Sequence, residues 1–230
     1  MAESVIRYRR VAPSGGAITI LDVLGWKGVY DRKRDAISSL KSLVEGLQNE
    51  AKTHRGRVTG DTNVKSISDT IAVFTLCTET EAAMALSIHA QLCQWVIPRS
   101  IEKEIPVRGA IAFGEFEFQE NIFVGRAVDE AAAWHEHGDW IGVHLTPSAE
   151  FVLDDAAESD PWIRFTPANK TRLDWKPRCV DWTSKWADRA AEVAAIKAKF
   201  RRLGPILPEI ASKFTNTLRF IAAAQQQPPA

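Results

Sequence analysis

The most constraining feature of this chain is an acid placed where a core strand would carry an aliphatic side chain. Residues Ala17–Val23 read AITILDV and follow Ser14-Gly15-Gly16, the pattern of a buried strand opened by a turn. Asp22 interrupts that run one residue before its end. Taking an unpaired carboxylate out of water is costly, so a cation or a set of hydrogen-bond donors must meet it. Directly after it come Leu24-Gly25-Trp26-Lys27-Gly28. A glycine turn of this kind can aim backbone N–H groups, and here Lys27, at an anion near a helix start. A cation ligand therefore stands beside an anion cradle.

The rest of the chain reads as alternating elements. Ile37, Leu40, Leu43, Val44 and Leu47 keep the 3.6-residue period and predict an amphipathic helix from about Lys33 to His54. Asn63 to Cys77 holds two apolar stretches divided at Ser68-Asp69, which predicts a β-hairpin with Asp69 at its tip. A second helix is expected from about Glu79 to Trp95, ended by Pro98. Pro106 to Phe118 reads as two short strands around Gly114, Gly125 to His135 as a helix, and Trp140 to Leu145 as a strand. The order is β-α-β-β-α-β followed by further α/β, a ferredoxin-like core.

Beyond Pro161 come a strand-like piece, another at Cys179 to Trp182, and helices over Ser184 to Arg202 and Pro208 to Ala224 joined at Gly204-Pro205. The stripe Ile206, Leu207, Ile210, Phe214, Leu218 and Ile221 requires the last helix to pack on something. The expected organisation is one domain over residues 1–183, a helical extension over 184–224 packed on the core or on a partner chain, and a disordered tail over 225–230.

Composition removes several function classes. Twenty-nine basic residues balance 29 acidic ones, so there is no broad basic surface for nucleic acid. Cys77, Cys93 and Cys179 are odd in number and sit in apolar runs, as reduced core thiols of a cytoplasmic protein do. No apolar run is long enough to span a bilayer, and no membrane association is expected. Neither a G-x-x-x-x-G-K-[ST] loop nor a G-x-G-x-x-G turn is present.

If the hairpin lies beside the first strand, Asp22 and Asp69 can converge. Two hard oxygen ligands next to a phosphate cradle suit Mg²⁺ or Mn²⁺. The same spacing is also met by strand-end aspartates that cap helices or close turns.

Four segments in order, Ile20-Leu-Asp-Val-Leu-Gly-Trp26, Val64-Lys-Ser-Ile-Ser-Asp69, Val107-Arg-Gly-Ala-Ile-Ala-Phe-Gly-Glu115 and Phe123-Val-Gly-Arg-Ala-Val-Asp-Glu-Ala-Ala-Ala133, resemble the class III nucleotide cyclase domain. The chain looks closest to the pyrimidine cyclases of the Pycsar antiphage system. The resemblance covers roughly Ile18 to Thr146, and the C-terminal segment more loosely. It implies a homodimer with composite active sites, two Mn²⁺ or Mg²⁺ ions per site on Asp22, Asp69 and the Val23 carbonyl, and a triphosphate wrapped by Gly25, Trp26 and Lys27. Lys65 falls where purine cyclases place a base-reading lysine.

Two positions depart from the family pattern. Its helix carries an Asn and an Arg that steady the ribose and the transition-state phosphate, whereas this chain has Asp129 and Ala133. Losing such an Arg removes charge stabilisation, which leaves Arg126, Arg108, Lys170 and Arg172 as candidate replacements. At the purine-selecting acidic position stands Ile122, which cannot read an adenine amino group and leaves room for a pyrimidine. The implied reaction is cyclisation of UTP, or secondarily CTP, to a 3′,5′-cyclic monophosphate that activates a separate effector. A degenerate module that binds nucleotide or only dimerises is the alternative. His135-Glu-His137 is set aside as a zinc site, because positions i and i+2 of a helix face apart.

Overall fold

The structure is a computed structural model that describes residues 14–120, 122–153, 160–171, 175–203 and 208–226. Its elements are β1 (Ser14–Val23), α1 (Val29–Arg32), α2 (Ala36–Lys52), β2 (Thr62–Ile67), β3 (Thr70–Leu76), α3 (Ala82–Glu102), β4 (Val107–Gln119), β5 (Ile122–Val124), α4 (Arg126–His137), β6 (Val143–Leu145), α5 (Pro147–Phe151), β7 (Trp162–Arg164), β8 (Arg178–Val180), α6 (Arg189–Arg202) and α7 (Pro208–Gln226). The main sheet runs β2-β3-β1-β4-β6-β8-β7, with β5 paired to β4 as a side arm. Each neighbouring pair among its first four strands is antiparallel, the ferredoxin-like arrangement expected from the element order. The added edge starts with β6, parallel to β4.

Alternation along β1 divides the core in two. Leu21 and Val23 point to the side covered by α2 and α3, joining Leu43, Leu47, Leu86 and Val96. Ile18 and Ile20 point to the other side with Ala72, Phe74 and Ala112, where Ala127 and Ala131 of α4 cover them. Asp22 continues that second series, so the strand's acid emerges on the α4 face, at the end of the sheet.

One buried polar side chain of α3 is matched at both ring nitrogens. His89 is fully buried, 2.7 Å from Thr19 Oγ1 through Nδ1 and 3.0 Å from Thr75 Oγ1 through Nε2. At the far edge the Glu150 carboxylate accepts from the buried Arg178 guanidinium at 2.7 Å and from Arg164 at 3.0 Å, tying α5 to β7 and β8. The C-terminal helix is joined to the core by equally specific contacts. Ile141 N–H donates to Thr217 Oγ1 at 2.8 Å, Asn216 Nδ2 donates to the Asp139 carbonyl at 2.9 Å, and Phe220 packs on Trp140.

Several expectations need correction. Helix α3 does not stop at Pro98 but continues to Glu102. Burial of Val96, Ile97 and Ile101 outweighs the hydrogen bond a proline forgoes, and the Arg99 guanidinium donates to the Trp95 carbonyl within the same turn. The two short strands around Gly114 are one strand, because Gly114 faces Gly16 across the ladder and keeps its pairing. The Trp140 strand begins only at Val143, α5 lacked a recognisable period, and the helix expected from Ser184 starts at Arg189 behind an Asp188 cap that accepts from Ala191 N–H. Helix α7 runs through Gln225 and Gln226, so those residues are not tail; 227–230 lie outside the described residues, as do Gly204-Pro205, Ile206, Leu207 and Arg172.

Candidate active site

Register places the two aspartates at the same end of the sheet. Asp22 is opposite Thr70 on β3 and Arg108 on β4. Ser68 and Asp69 form the two-residue hairpin loop between Ile67 and Thr70. Ser68 takes a positive φ of 56°, as tight hairpins require. Val23 N–H then donates to the Asp69 carbonyl at 3.2 Å, which locks the hairpin tip against the strand that carries Asp22.

Arg108 is the cation that meets the strand's acid. Its Nη2 lies 3.5 Å from Asp22 Oδ2, a long contact that engages one carboxylate oxygen. Its Nη1 donates to the carbonyls of Glu136 and Gly138 at the C-terminal end of α4, and its Nε is buried with no hydrogen-bond partner among the described residues. Burial pushes the Asp22 carboxyl above its ordinary pKa; the charges of Arg108 and then of His135 pull it back, and the negative charge of Asp69 pushes it up again. Arginine alone does not neutralise the pair.

The part-buried carboxylate, met by one long arginine contact, and the oxygen-only donor set fit a divalent cation of the Mg²⁺ or Mn²⁺ type. Among the described residues no group of three or more His, Cys, Asp or Glu side chains gathers. Asp22, Asp69 and the Val23 carbonyl are the oxygen groups that could hold such an ion, the remainder falling to water and phosphate oxygens, as is usual for Mg²⁺.

The neighbouring turn differs in one respect from its expected form. Gly25 and Gly28 both adopt positive φ, 74° and 71°, which glycine tolerates without strain. The turn leads not into the long helix but into the single-turn α1, whose dipole is too short to hold an anion by itself. Backbone amides and the exposed Lys27 are what remain to meet phosphate. Trp26 is half-buried and packs on the main core.

Lys65 is exposed on β2, opposite Ala72, which is itself opposite Ile20. It thus shares the α4 face with Asp22. Asp129 and Ala133 are exposed on α4, one turn apart, with Arg126 one turn earlier on the same stripe. Ile122 is exposed on the β5 arm, and Lys170 lies beyond the C-terminal end of α4, its N–H bonded to the His137 carbonyl. Of the candidate cations among the described residues, Arg108 is the one in contact with Asp22.

The residue sequence reasoning missed is His135. It continues the inward stripe Ala127, Ala131 by a further four residues, and its charge acts on Asp22. That i, i+4, i+8 spacing was the available signal; the pairing with His137 drew attention to a metal site instead.

No protein-family model matches the chain, and no curated protein matches it in sequence. Its fold is similar to that of solved nucleotide cyclases. One is a guanylyl cyclase, with a TM-score of 0.49 and 11% identity over 73% of this chain and 93% of that one. A second is the catalytic core of a rhodopsin-guanylyl cyclase with converted specificity, in complex with ATPalphaS, with a TM-score of 0.49 and 14% identity over 73% of this chain and 94% of that one. A third is an adenylate/guanylate cyclase/hydrolase from Silicibacter pomeroyi, with a TM-score of 0.47 and 17% identity over 72% of this chain and 94% of that one.

Proposed function

We propose that this chain is a nucleotide cyclase that converts UTP, or secondarily CTP, to the 3′,5′-cyclic monophosphate and pyrophosphate. The observation that carries the reading is the pair Asp22 and Asp69, brought to one sheet end by the Val23–Asp69 backbone bond, with Arg108 reaching one Asp22 oxygen through a single long contact. Divalent cations held there would lower the pKa of the ribose 3′-hydroxyl and offset phosphate charge.

The chain's own residues supply position and charge. Gly25 and Lys27 hold the triphosphate at the sheet end, and Arg108, with an Nε unsatisfied among the described residues, supplies the fixed positive charge that Ala133 does not. Lys65 reads the base from β2, and Asp129 accepts from the ribose. The 3′-oxygen forms its bond to the α-phosphorus as the bond from that phosphorus to the bridging oxygen breaks; pyrophosphate departs and the hydroxyl proton passes to solvent. An intramolecular attack of this kind depends on alignment more than on a protein base.

A second copy would complete the site. Helix α4 packs over β1 and β4, while on the same face Lys65 and Ile67 of β2 stay exposed; Phe118, Ile122 and Val124 of the β4–β5 arm are exposed as well. Ile122 and Ile67 are 68% and 58% exposed. Covering them with the same surface of a twin chain would bury apolar area and exclude water from the reacting phosphate. The product would act through a separate effector in antiphage defence, in the cytoplasm.

The test is incubation of the purified protein with each of the four ribonucleoside triphosphates and Mn²⁺, with chromatographic detection of cyclic monophosphates. A cyclic pyrimidine product supports the reading. No cyclic product from any of the four, with the fold intact, would replace it with a nucleotide-binding or dimerisation module.

A further inference from the structure

Behind the glycine turn lies a cavity of about 410 Å³ that the proposed reaction does not use. That volume is within the range of about 300–1,000 Å³ typical of small-molecule sites. Its walls are Val23, Val29, Ile105, Ile210 and Phe214, so its body is apolar. Leu24 and Gly25 form the side shared with the turn.

Three cations, Lys33, Lys213 and Arg202, line it, with the carboxylate of Glu104. The two lysines are largely sequestered, with side chains 18% and 20% exposed. Each cation already leans on a carboxylate: Lys33 on Asp35 at 3.0 Å, Lys213 on Asp139 at 3.4 Å, and Arg202 on Glu104 at 3.6 Å. The latter two contacts are longer than a tight charge-assisted bond, and Asp35 is itself mostly exposed. An anionic head group arriving among the three would compete with these carboxylates for the cations.

The helices that wall it are anchored by polar contacts: α6 is fixed to the α3–β4 corner by Lys199 Nζ donating to the Glu102 carbonyl at 3.0 Å, and α7 is fixed to the core through Thr217 and Asn216. We propose that the cavity is a second ligand site, for a small amphipathic anion with an apolar chain and one carboxylate head. Because Leu24 and Gly25 form its inner wall, its occupant braces the β1–α1 turn from behind. Only that effect on turnover rests on the cyclase reading; binding itself does not.

Calorimetric titration of the full chain with decanoate, and with decanol as the uncharged control, tests this. The expected result is one saturable decanoate site per chain, about tenfold tighter than decanol, the factor one charge-assisted contact supplies, with a rise in melting temperature. Ile210→Trp, which fills the void, should abolish binding; Lys33→Gln, on the rim, should erase the preference for decanoate. No saturable binding, or binding that survives both substitutions, overturns the proposal. A chain that binds decanoate but forms no cyclic nucleotide would leave this site standing and remove the enzymatic reading alone.

Discussion

Asp22 and Arg108 are cross-strand partners at the last rungs of the β1–β4 ladder, with one guanidinium nitrogen 3.5 Å from one carboxylate oxygen. Arg108 spends its other terminal nitrogen on the carbonyls that end α4. It therefore ties the acid of the first strand to the helix that carries Asp129, without saturating either.

Asp22 should cost the ligand-free protein stability. Its carboxyl is raised by burial and by Asp69, so the unfolded chain ionises more readily than the folded one. A group with a raised folded pKa stabilises below its unfolded pKa and loses that contribution as pH rises through the folded value. Asp22→Asn is accordingly expected to raise the melting temperature at pH 7.5 in the absence of metal while abolishing cyclic product. A lower melting temperature would show that the Arg108 contact outweighs burial.

Two buried histidines should make the fold acid-sensitive. Burial depresses His89 to about 3 and His144 to about 4. Between those values and the unfolded value of about 6.5, the unfolded chain binds more protons than the folded one, so stability falls as pH falls. Each group contributes at most about a tenfold drop in the folding constant per pH unit. His144 has no hydrogen-bond partner on either ring nitrogen among the described residues and packs against Trp134 and Trp175. His144→Leu should therefore keep the fold and flatten the pH dependence in urea titrations between pH 7 and 5. An unchanged slope would contradict the assignment.

The attachment of α7 can be tested at one atom. Thr217→Val keeps the side chain's shape but leaves the buried Ile141 N–H without its acceptor, at a cost of about 1–3 kcal/mol. Denaturant unfolding should show that loss as a lower midpoint with an unchanged slope. No change would mean that α7 is not fixed through this contact.

Local pattern made much of this legible. The β-branched run with one acid, the Ser68-Asp69 break between apolar stretches and the 3.6 period of α2 each depend on neighbours in sequence, and together they anticipated the ferredoxin-like order. What escaped depends on distant partners. Nothing near Arg108 in sequence says that it faces Asp22, because strand register is set by the whole sheet. Pro98 looked like a stop because its helix's burial is a tertiary fact. His135 and the cavity behind Gly25 need α4 and α7 to be docked before either has meaning.

The most direct test of the central claim compares the parent with Asp22→Asn and Asp69→Asn in Mn²⁺ with UTP and CTP, measuring cyclic monophosphate by mass spectrometry. The account predicts product from the parent and a loss of about a hundredfold or more in each single variant, as removal of a transition-state charge contact produces, with folding unimpaired. Product formation at the parent's rate in either variant would contradict it.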